Sequence, residues 1–95
     1  MDISVIMTAF NASKFIREAL DSILNQKFDG HFEVLCADDC STDNTPYILS
    51  EYERDSPGAV RIFLNKTNLG CSSNYASLTS YASGKYLAFC DADDI

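Results

Sequence analysis

Basic side chains are scarce in this chain. Seven Lys and Arg residues stand against fourteen Asp and Glu residues among 95 positions, which gives a formal net charge of −7 at pH 7. The basic residues form no cluster of the kind that binds a phosphate backbone. The composition therefore argues against nucleic acid or an anionic membrane surface as a direct partner, and a polyanionic ligand would have to bind together with a metal ion.

Zinc-binding cysteine patterns and long apolar runs are also missing. The four cysteines form no CxxC pair, and the single histidine, His31, lies in a loop-like FDGHF stretch, so we expect no zinc site. Cys36 and Cys90 fall inside apolar runs, where cysteine behaves as a small buried hydrophobe, and this favours a reducing, cytosolic setting. No signal peptide opens the chain and no apolar run approaches roughly 20 residues, so we expect no membrane insertion of this segment.

Short apolar runs alternate with amphipathic stretches along the whole sequence. The runs ISVIM, FEVLCA, VRIFL and YLAFC predict strands at residues 3–7, 32–37, 60–64 and 86–90. Apolar residues at helical spacing predict three helices between them. The first begins near residue 14 and breaks at 29–30, the second follows Thr45-Pro46 and stops at 56–58, and the third spans about 72–82.

Polar residues at the helix starts are candidate caps. Asn11 or Ser13 is expected to cap the first helix, and Thr45 the second, with Pro46 at its first position. The residues expected to face the core are Ile16, Ala19, Leu20, Ile23 and Leu24 in the first helix, Ile48, Leu49 and Tyr52 in the second, and Tyr75, Leu78, Thr79 and Ala82 in the third.

The order βαβαβαβ, with no repeat and no internal linker, predicts right-handed crossovers and a largely parallel sheet. We therefore expect an α/β fold with three layers, which is a Rossmann-like half of a doubly wound architecture. Its 95 residues are enough for a single domain.

Polar clusters follow each predicted strand, at residues 8–11, 38–39, 65–70 and 91–94. In a parallel sheet these positions meet on one rim, where ligands bind. Asp91, Asp93 and Asp94 repel one another unless a cation such as Mg or Mn holds them together with phosphate oxygens. The carboxylates of Asp38 and Asp39 are acceptors only, which suits an imide N–H such as that of uracil.

Two common phosphate-binding loops are absent. No GxGxxG follows the first strand, and Gly84-Lys85 runs into Tyr86 where a P-loop needs serine or threonine. A diphosphate bound without such a cradle needs a divalent cation to offset its charge, and the DADD stretch can hold one.

Four segments together resemble one known family. They are SVIMTAFN, a helix ending ALDSILNQ, FEVLCADDCSTDNT and NLGCSSNYASLTSYASGKYLAFCDADD, which are similar, in this order, to the nucleotide-sugar-binding half of a GT-A glycosyltransferase of family 2. The resemblance covers essentially all 95 residues. It implies an inverting transferase that takes a sugar from a nucleotide diphosphate donor, most often a UDP-sugar, with Mg or Mn bound through a DXD motif. A glycan or lipid-linked acceptor and a cytoplasmic location, at the inner face of the membrane for the whole enzyme, are further implications.

The resemblance also implies roles for residues at the first two strand ends. Thr8, Ala9 and Phe10 would line the nucleotide pocket, with Phe10 where many relatives have a tyrosine on or near the base. Asp39 would contact the base, and Asp38 would support the loop.

Further roles fall on the later segments. Asp91 and Asp93, with Ala92 between them, form the DXD pair: one would bind ribose or a phosphate-bridged water and the other the metal, and Asp94 could share either task. Three residues beside the donor would come from the NxG loop and the third helix: Asn68, Gly70 and Asn74.

The sequence departs from the family pattern in three places. Threonine stands at position 8 where many members have proline, and Cys40 replaces a glycine, which matters if that turn needs a positive φ. The family's catalytic base, a carboxylate that deprotonates the acceptor hydroxyl, belongs to the half beyond Ile95. We therefore expect a truncated chain or natural fragment that binds nucleotide and is inactive alone.

Simpler interpretations remain open at each position. Asp38 and Asp39 could serve only as turn and cap residues, the DADD run as a solvated segment, Phe10 as core packing, and Asn68 and Asn74 as caps. Two other classes remain as well: a flavodoxin-like receiver, although no lysine follows Cys90 as such a module requires, and a non-catalytic nucleotide-binding domain.

Overall fold

The computed structural model describes residues 2–26 and 31–91, and only the main chain of Cys71 and Asp91. The described part of the chain contains four strands and three helices in the predicted alternating order. Their bounds are β1 Ile3–Ala9, α1 Ile16–Leu24, β2 Phe32–Asp38, α2 Thr45–Asp55, β3 Val60–Leu64, α3 Cys71–Thr79 and β4 Tyr86–Asp91.

All strand pairs in the sheet are parallel, and the strand order is β3-β2-β1-β4. The chain builds the sheet outward from β1 to β3 and then returns to add β4 on the other side of β1. The strand order therefore reverses between β1 and β4, which is where doubly wound sheets bind their ligands.

Helices cover both faces of the sheet. On one face, α1 and α2 pack on side chains of β1 and β2 that point the same way, including Val5, Met7, Val34 and Cys36. On the other face, Leu78 of α3 packs with Ile6, Leu35 and Ala37. The expected α/β fold with three layers is confirmed. Burial raises the pKa of the Cys36 thiol, which stays neutral in the core as expected for a small hydrophobe.

Three strands extend further than their apolar runs predict. Thr8, Ala9, Asp38 and Asp91 are strand residues rather than loop residues, because the ladder continues through the pairs Ala9–Asp38 and Thr8–Asp91. Polar side chains at the strand ends hide this continuation in the sequence. The main chain of these four residues is consequently held by the sheet.

The predicted helix caps are wrong. Helix α1 begins after a turn in which the N–H groups of Phe15 and Ile16 donate to the carbonyl of Ala12, with no side-chain cap, while Asn11 bonds elsewhere. Thr45 is the first residue of α2, and its N–H donates to the carboxylate of Asp43 at 2.9 Å. The third helix also ends earlier than predicted, at Thr79.

One expectation about burial was wrong as well. Thr79 is exposed, and its hydroxyl donates to the carbonyl of Tyr75 within the helix. The apolar sequence of β4 is typical of a buried strand, but β4 is an edge strand among the described residues, with Tyr86 72% and Phe89 57% exposed. No described helix is both long enough and apolar enough to cross a bilayer.

A polar cluster joins the amino ends of the strands, opposite the predicted site. One carboxylate oxygen of Glu33, a residue only 3% exposed, accepts hydrogen bonds from the hydroxyls of Ser4 and Ser83 and the N–H of Ser83, at 2.7–3.0 Å. Burial raises the pKa of Glu33, but these hydrogen bonds together lower it by more than burial raises it. The pKa of Glu33 therefore lies below its ordinary value of 4.5. Gly84 donates its N–H to Ser4 Oγ at 2.8 Å, which brings the chain close to β1 as it enters β4.

Candidate functional site

The predicted site segments meet at the carboxyl ends of β1, β2 and β4. Thr8 lies in register between Ala37 of β2 and Asp91 of β4. Since neighbouring strands lie about 4.8 Å apart, the main chains of Ala37 and Asp91 are roughly 10 Å apart. The two acidic segments therefore end at the same rim, on either side of β1. Ala92, Asp93 and Asp94 lie outside the described residues.

Asp38 closes the turn after β2. The residue is 2% exposed, and its carboxylate accepts the N–H of Ser41 at 3.0 Å and the Ser41 hydroxyl at 2.5 Å. Cys40 within this turn has a φ of 63°, so the turn does adopt the conformation that favours glycine. The carboxylate of Asp38 is thus used to hold the loop in shape.

The loops after β1 and β2 are tied to each other. The Asn11 side chain accepts the N–H of Thr42 at 2.8 Å, and the Asn11 N–H donates to the hydroxyl of Ser41 at 2.9 Å. Asn11 has a φ of 47°, a conformation that asparagine tolerates. Beside it, Phe10 is 52% exposed, so its ring is not core packing and lies at the surface of the rim.

A second carboxylate strengthens this junction. Asp43 accepts hydrogen bonds from the N–H and hydroxyl of Thr45 and from the N–H of Ser13 at 3.2 Å. Burial raises the pKa of Asp43, but the hydrogen bonds from Thr45 and Ser13 together lower it by more than burial raises it. The pKa of Asp43 is therefore about 2. Asp43 is therefore ionised at neutral pH and holds the two loops together.

Asp39 is the centre of the site. It is 8% exposed, and its carboxylate accepts the main-chain N–H of Leu69 at 2.6 Å and of Gly70 at 3.1 Å. The Leu69 N–H lowers the pKa of Asp39 most and burial opposes this effect. The N–H of Gly70 and the amides of Asn65 and Asn74 lower the pKa further, so it falls from 3.8 to about 2. The ionised carboxylate thus fixes the β3–α3 loop against β2.

Gly70 and Asn68 take part in the same contact. Gly70 precedes α3 with a φ of 87°, and nothing lies within 4 Å of where a Cβ would be, so its conformation rather than crowding requires glycine. The Asn68 amide donates to the main-chain carbonyl of Asp39 at 2.6 Å. All three residues of the NLG motif therefore bind Asp39 from the loop.

Asn65 lies in the predicted polar cluster at residues 65–70, but the sequence reasoning gave it no role of its own. Its amide nitrogen donates to Asp39 Oδ1 at 3.2 Å and to Asn74 Oδ1 at 2.6 Å. Asn74 is 1% exposed, and its own amide nitrogen is buried without a hydrogen-bond partner. An asparagine just after a strand is too common for the sequence alone to single out this residue.

The acceptor positions of Asp39 are largely used within the protein. A carboxylate offers about four, two on each oxygen. Oδ1 accepts from Leu69 and Asn65, Oδ2 accepts from Gly70, and the nearby Asn74 amide also lowers the pKa of this carboxylate.

Helix α3 also contacts the end of β4. The hydroxyl of Tyr75 donates to the carbonyl of Cys90 at 3.3 Å, and its ring meets Phe89 edge-on with centroids 5.3 Å apart. Asn74 and Tyr75 are adjacent in α3. Through them the helix contacts both Asn65, which binds Asp39, and the end of β4.

The donor chemistry indicates where a cation would bind. Residues 2–26 and 31–91 contain no group of three acidic, histidine or cysteine side chains suited to a metal. The carboxylates of Asp38 and Asp39 are largely used by hydroxyl and N–H donors. Asp91 ends β4 at the same rim, while Asp93 and Asp94 lie outside the described residues; carboxylates are the type of ligand that Mg and Mn prefer.

Several known proteins are similar to this chain in sequence and in fold. A glucosyltransferase of Escherichia coli, UDP-Glc:alpha-D-GlcNAc-diphosphoundecaprenol beta-1,3-glucosyltransferase WfgD, is 33% identical over 93 residues, which are 98% of this chain and 35% of that protein. S. aureus TarS 1-349, solved in complex with UDP-GlcNAc, matches with a TM-score of 0.88 and 34% identity over 98% of this chain and 27% of that one.

A third match comes from an archaeal enzyme. The mannosyltransferase PcManGT from Pyrobaculum calidifontis, in complex with GDP-Man and Mn2+, gives a TM-score of 0.87 and 26% identity over 96% of this chain and 27% of that one. The chain thus spans about a third or less of these relatives. Their likeness confirms the Rossmann-like half of a GT-A fold. The family description Glycosyl transferase family 2 matches residues 4–95, and the chain belongs to that family.

Proposed function

We propose that this chain is the donor-binding segment of an inverting glycosyltransferase that uses a nucleotide diphosphate sugar, with a UDP-sugar as the main candidate. The observation that carries the proposal is that the main chains of Asp39 and Asp91 lie on one rim, at the point where the strand order reverses. TarS bound to UDP-GlcNAc and PcManGT bound to GDP-Man support a nucleotide-sugar donor.

In this proposal the base binds at the β2 end of the rim. The carboxylate of Asp39 accepts one base N–H, and exposed Phe10 packs against the base. Thr8 and Ala9 form the floor of the pocket, because they are the last residues of the central strand. Asn68, Gly70 and Asn74 border the donor through the β3–α3 loop, and Asp38 supports the turn from below.

The diphosphate would bind at the β4 end. Asp91, Asp93 and Asp94, with Ala92 between the first two, would hold Mg or Mn as a DXD motif, and one of the acids would contact ribose. When bound, such a cation neutralises charge on the departing nucleoside diphosphate. The Mn2+ in the PcManGT complex supports this choice of metal. We place the catalytic base in the part of the enzyme that follows the DXD motif.

The acceptor and location extend the proposal. The E. coli relative is named for a diphosphoundecaprenol-linked acceptor, which supports a lipid-linked or glycan acceptor and a role in polysaccharide biosynthesis. A cytoplasmic location at the inner membrane face would fit such an acceptor. The family match argues against a flavodoxin-like receiver module. The alternative that remains is a family member that binds nucleotide but does not catalyse transfer.

A thermal shift series tests the proposal. We expect UDP with Mn2+ to raise the melting temperature of the chain more than UDP alone, because a ligand that binds only the folded state stabilises it by mass action. ADP and acetyl phosphate serve as controls for non-specific binding of phosphate. Absence of a response to every nucleotide would refute donor binding, and transfer of sugar by the whole enzyme would separate the active from the non-catalytic alternative.

A further inference from the structure

The side chain of Phe10 is exposed, but the main chain that carries it is held in place. Phe10 is 52% exposed at the rim. The carbonyl of Ala9, in the peptide unit before Phe10, accepts the N–H of Asp39 at 2.8 Å. The N–H of Asn11, in the peptide unit after Phe10, donates to the hydroxyl of Ser41 at 2.9 Å. Both peptide units that flank the Phe10 Cα are therefore bonded to the segment that follows β2.

The side chain of Asn11 adds a further contact to the same segment. Its Oδ1 accepts the N–H of Thr42 at 2.8 Å and the Thr42 hydroxyl at 3.3 Å. The φ of Asn11 is 47°, a left-handed conformation that asparagine adopts more readily than most residues. Asn11 thus combines the backbone conformation and the side-chain acceptor that fix the chain directly after Phe10.

A fixed main chain affects how well an exposed ring can bind. With both flanking peptide units held, the Phe10 ring retains only its side-chain torsions. Such a ring offers a large apolar face to a base at a low cost in conformational entropy. If the loop were free, binding would also have to order its main chain, and the affinity would be lower.

We infer that Asn11 is a positioning residue for the nucleotide: through its hydrogen bonds to residues 41 and 42 it holds Phe10 where the ring packs against the base. The inference rests on the proposed function, because it assumes that Phe10 meets a base. Asn11 acts through Phe10 and not on the ligand. Its effect on affinity therefore depends on the presence of the Phe10 ring.

A double-mutant cycle on UDP binding tests this dependence, with calorimetry in the presence of MnCl2. Asn11→Gly keeps the positive φ and the main-chain donor but removes Oδ1, so we expect affinity to fall about fivefold, the effect of one hydrogen bond. Phe10→Ala removes the ring and should lower affinity about tenfold, as for the loss of base stacking. In the Phe10→Ala background, Asn11→Gly should cause no further loss.

Two more variants serve as controls. Asn44→Gly makes the same replacement at an exposed residue whose φ is −82° and whose side chain does not cap α2, so UDP affinity should not change. Asn11→Asp keeps the acceptor oxygen and a residue that tolerates a positive φ. Its added charge should alter UDP affinity by the same factor with and without the Phe10 ring.

The possible results are distinct. If Asn11→Gly binds UDP as tightly as wild type, or weakens binding equally with and without the Phe10 ring, Asn11 has only a structural role and the inference is wrong. Coupling between Asn11→Asp and Phe10 as strong as that of the glycine variant would also overturn it, because the acceptor would then not matter. A wild-type chain that does not bind UDP refutes the proposed function itself, which is a separate result.

Discussion

Replacing Asp39 by asparagine should destabilise the chain by an amount that depends on pH. Asparagine has the shape of a protonated aspartic acid, so Asp39→Asn removes the charge while keeping the side chain in place. The variant retains one oxygen to accept from the β3–α3 loop and turns an NH2 group toward the other loop N–H. The loop contact therefore weakens without a cavity.

The size of the effect follows from the pKa of Asp39. The folded protein lowers this pKa from 3.8 to about 2, mainly through the N–H of Leu69. A lowered pKa contributes stability that is fully present above the unfolded value and is lost as the pH falls through the folded value. At pH 7 the difference corresponds to about 2 kcal/mol of unfolding free energy. At pH 3 about half of it should remain.

Urea unfolding followed by circular dichroism at pH 7 and pH 3 measures both quantities. Asp55→Asn is the matched control, because Asp55 is 73% exposed and pairs only with its neighbour Arg54, so its loss should change stability by less than about 0.5 kcal/mol. A gap between wild type and Asp39→Asn that is the same at both pH values, or no larger than that of the control, would show that the loop contact does not depend on the charge.

Two further substitutions test the backbone. In Gly84→Ala the new Cβ would lie 2.5 Å from the main-chain nitrogen of Ser4. We therefore expect the free energy of unfolding in urea to fall by about 3 kcal/mol or more. A variant of near wild-type stability would show that β4 can move away from β1 at no cost. Cys40 has a φ of 63°, so in urea unfolding we expect Cys40→Gly to be at least as stable as wild type and β-branched Cys40→Val to be less stable by about 1 kcal/mol. A valine variant as stable as wild type would contradict a strained turn.

The order of elements could be read from the sequence because each element carries its own local pattern. The run ISVIM and the helical spacing of Ile16, Ala19 and Leu20 need no tertiary information. Burial of β4 could not be read in this way. Its apolar residues look the same whether a strand lies at the centre or the edge of a sheet, and only the strand order places it at the edge.

The site was predictable only in part. Acidic and amide residues after strands marked the rim, since parallel strands end together. The different tasks of Asp38 and Asp39 could not be predicted, because Asp38 is the last residue of β2 and Asp39 the first residue after it, and their partners lie three and about thirty residues away in the sequence. Asn65 was given no role for the same reason: its importance depends on a contact between two loops.

The central position of β1 also has a consequence for how the chain acquires its structure. Its partner β4 lies about 80 residues further along, as the bond from Gly84 to Ser4 shows. Pairings of such long range are slow to form, because a large loop must close before any contact is gained. During synthesis, β1 therefore keeps one bare edge until nearly the whole segment has left the ribosome. Over that interval the nascent chain would depend on chaperones, or on rapid docking of α3, to avoid pairing with the wrong strand.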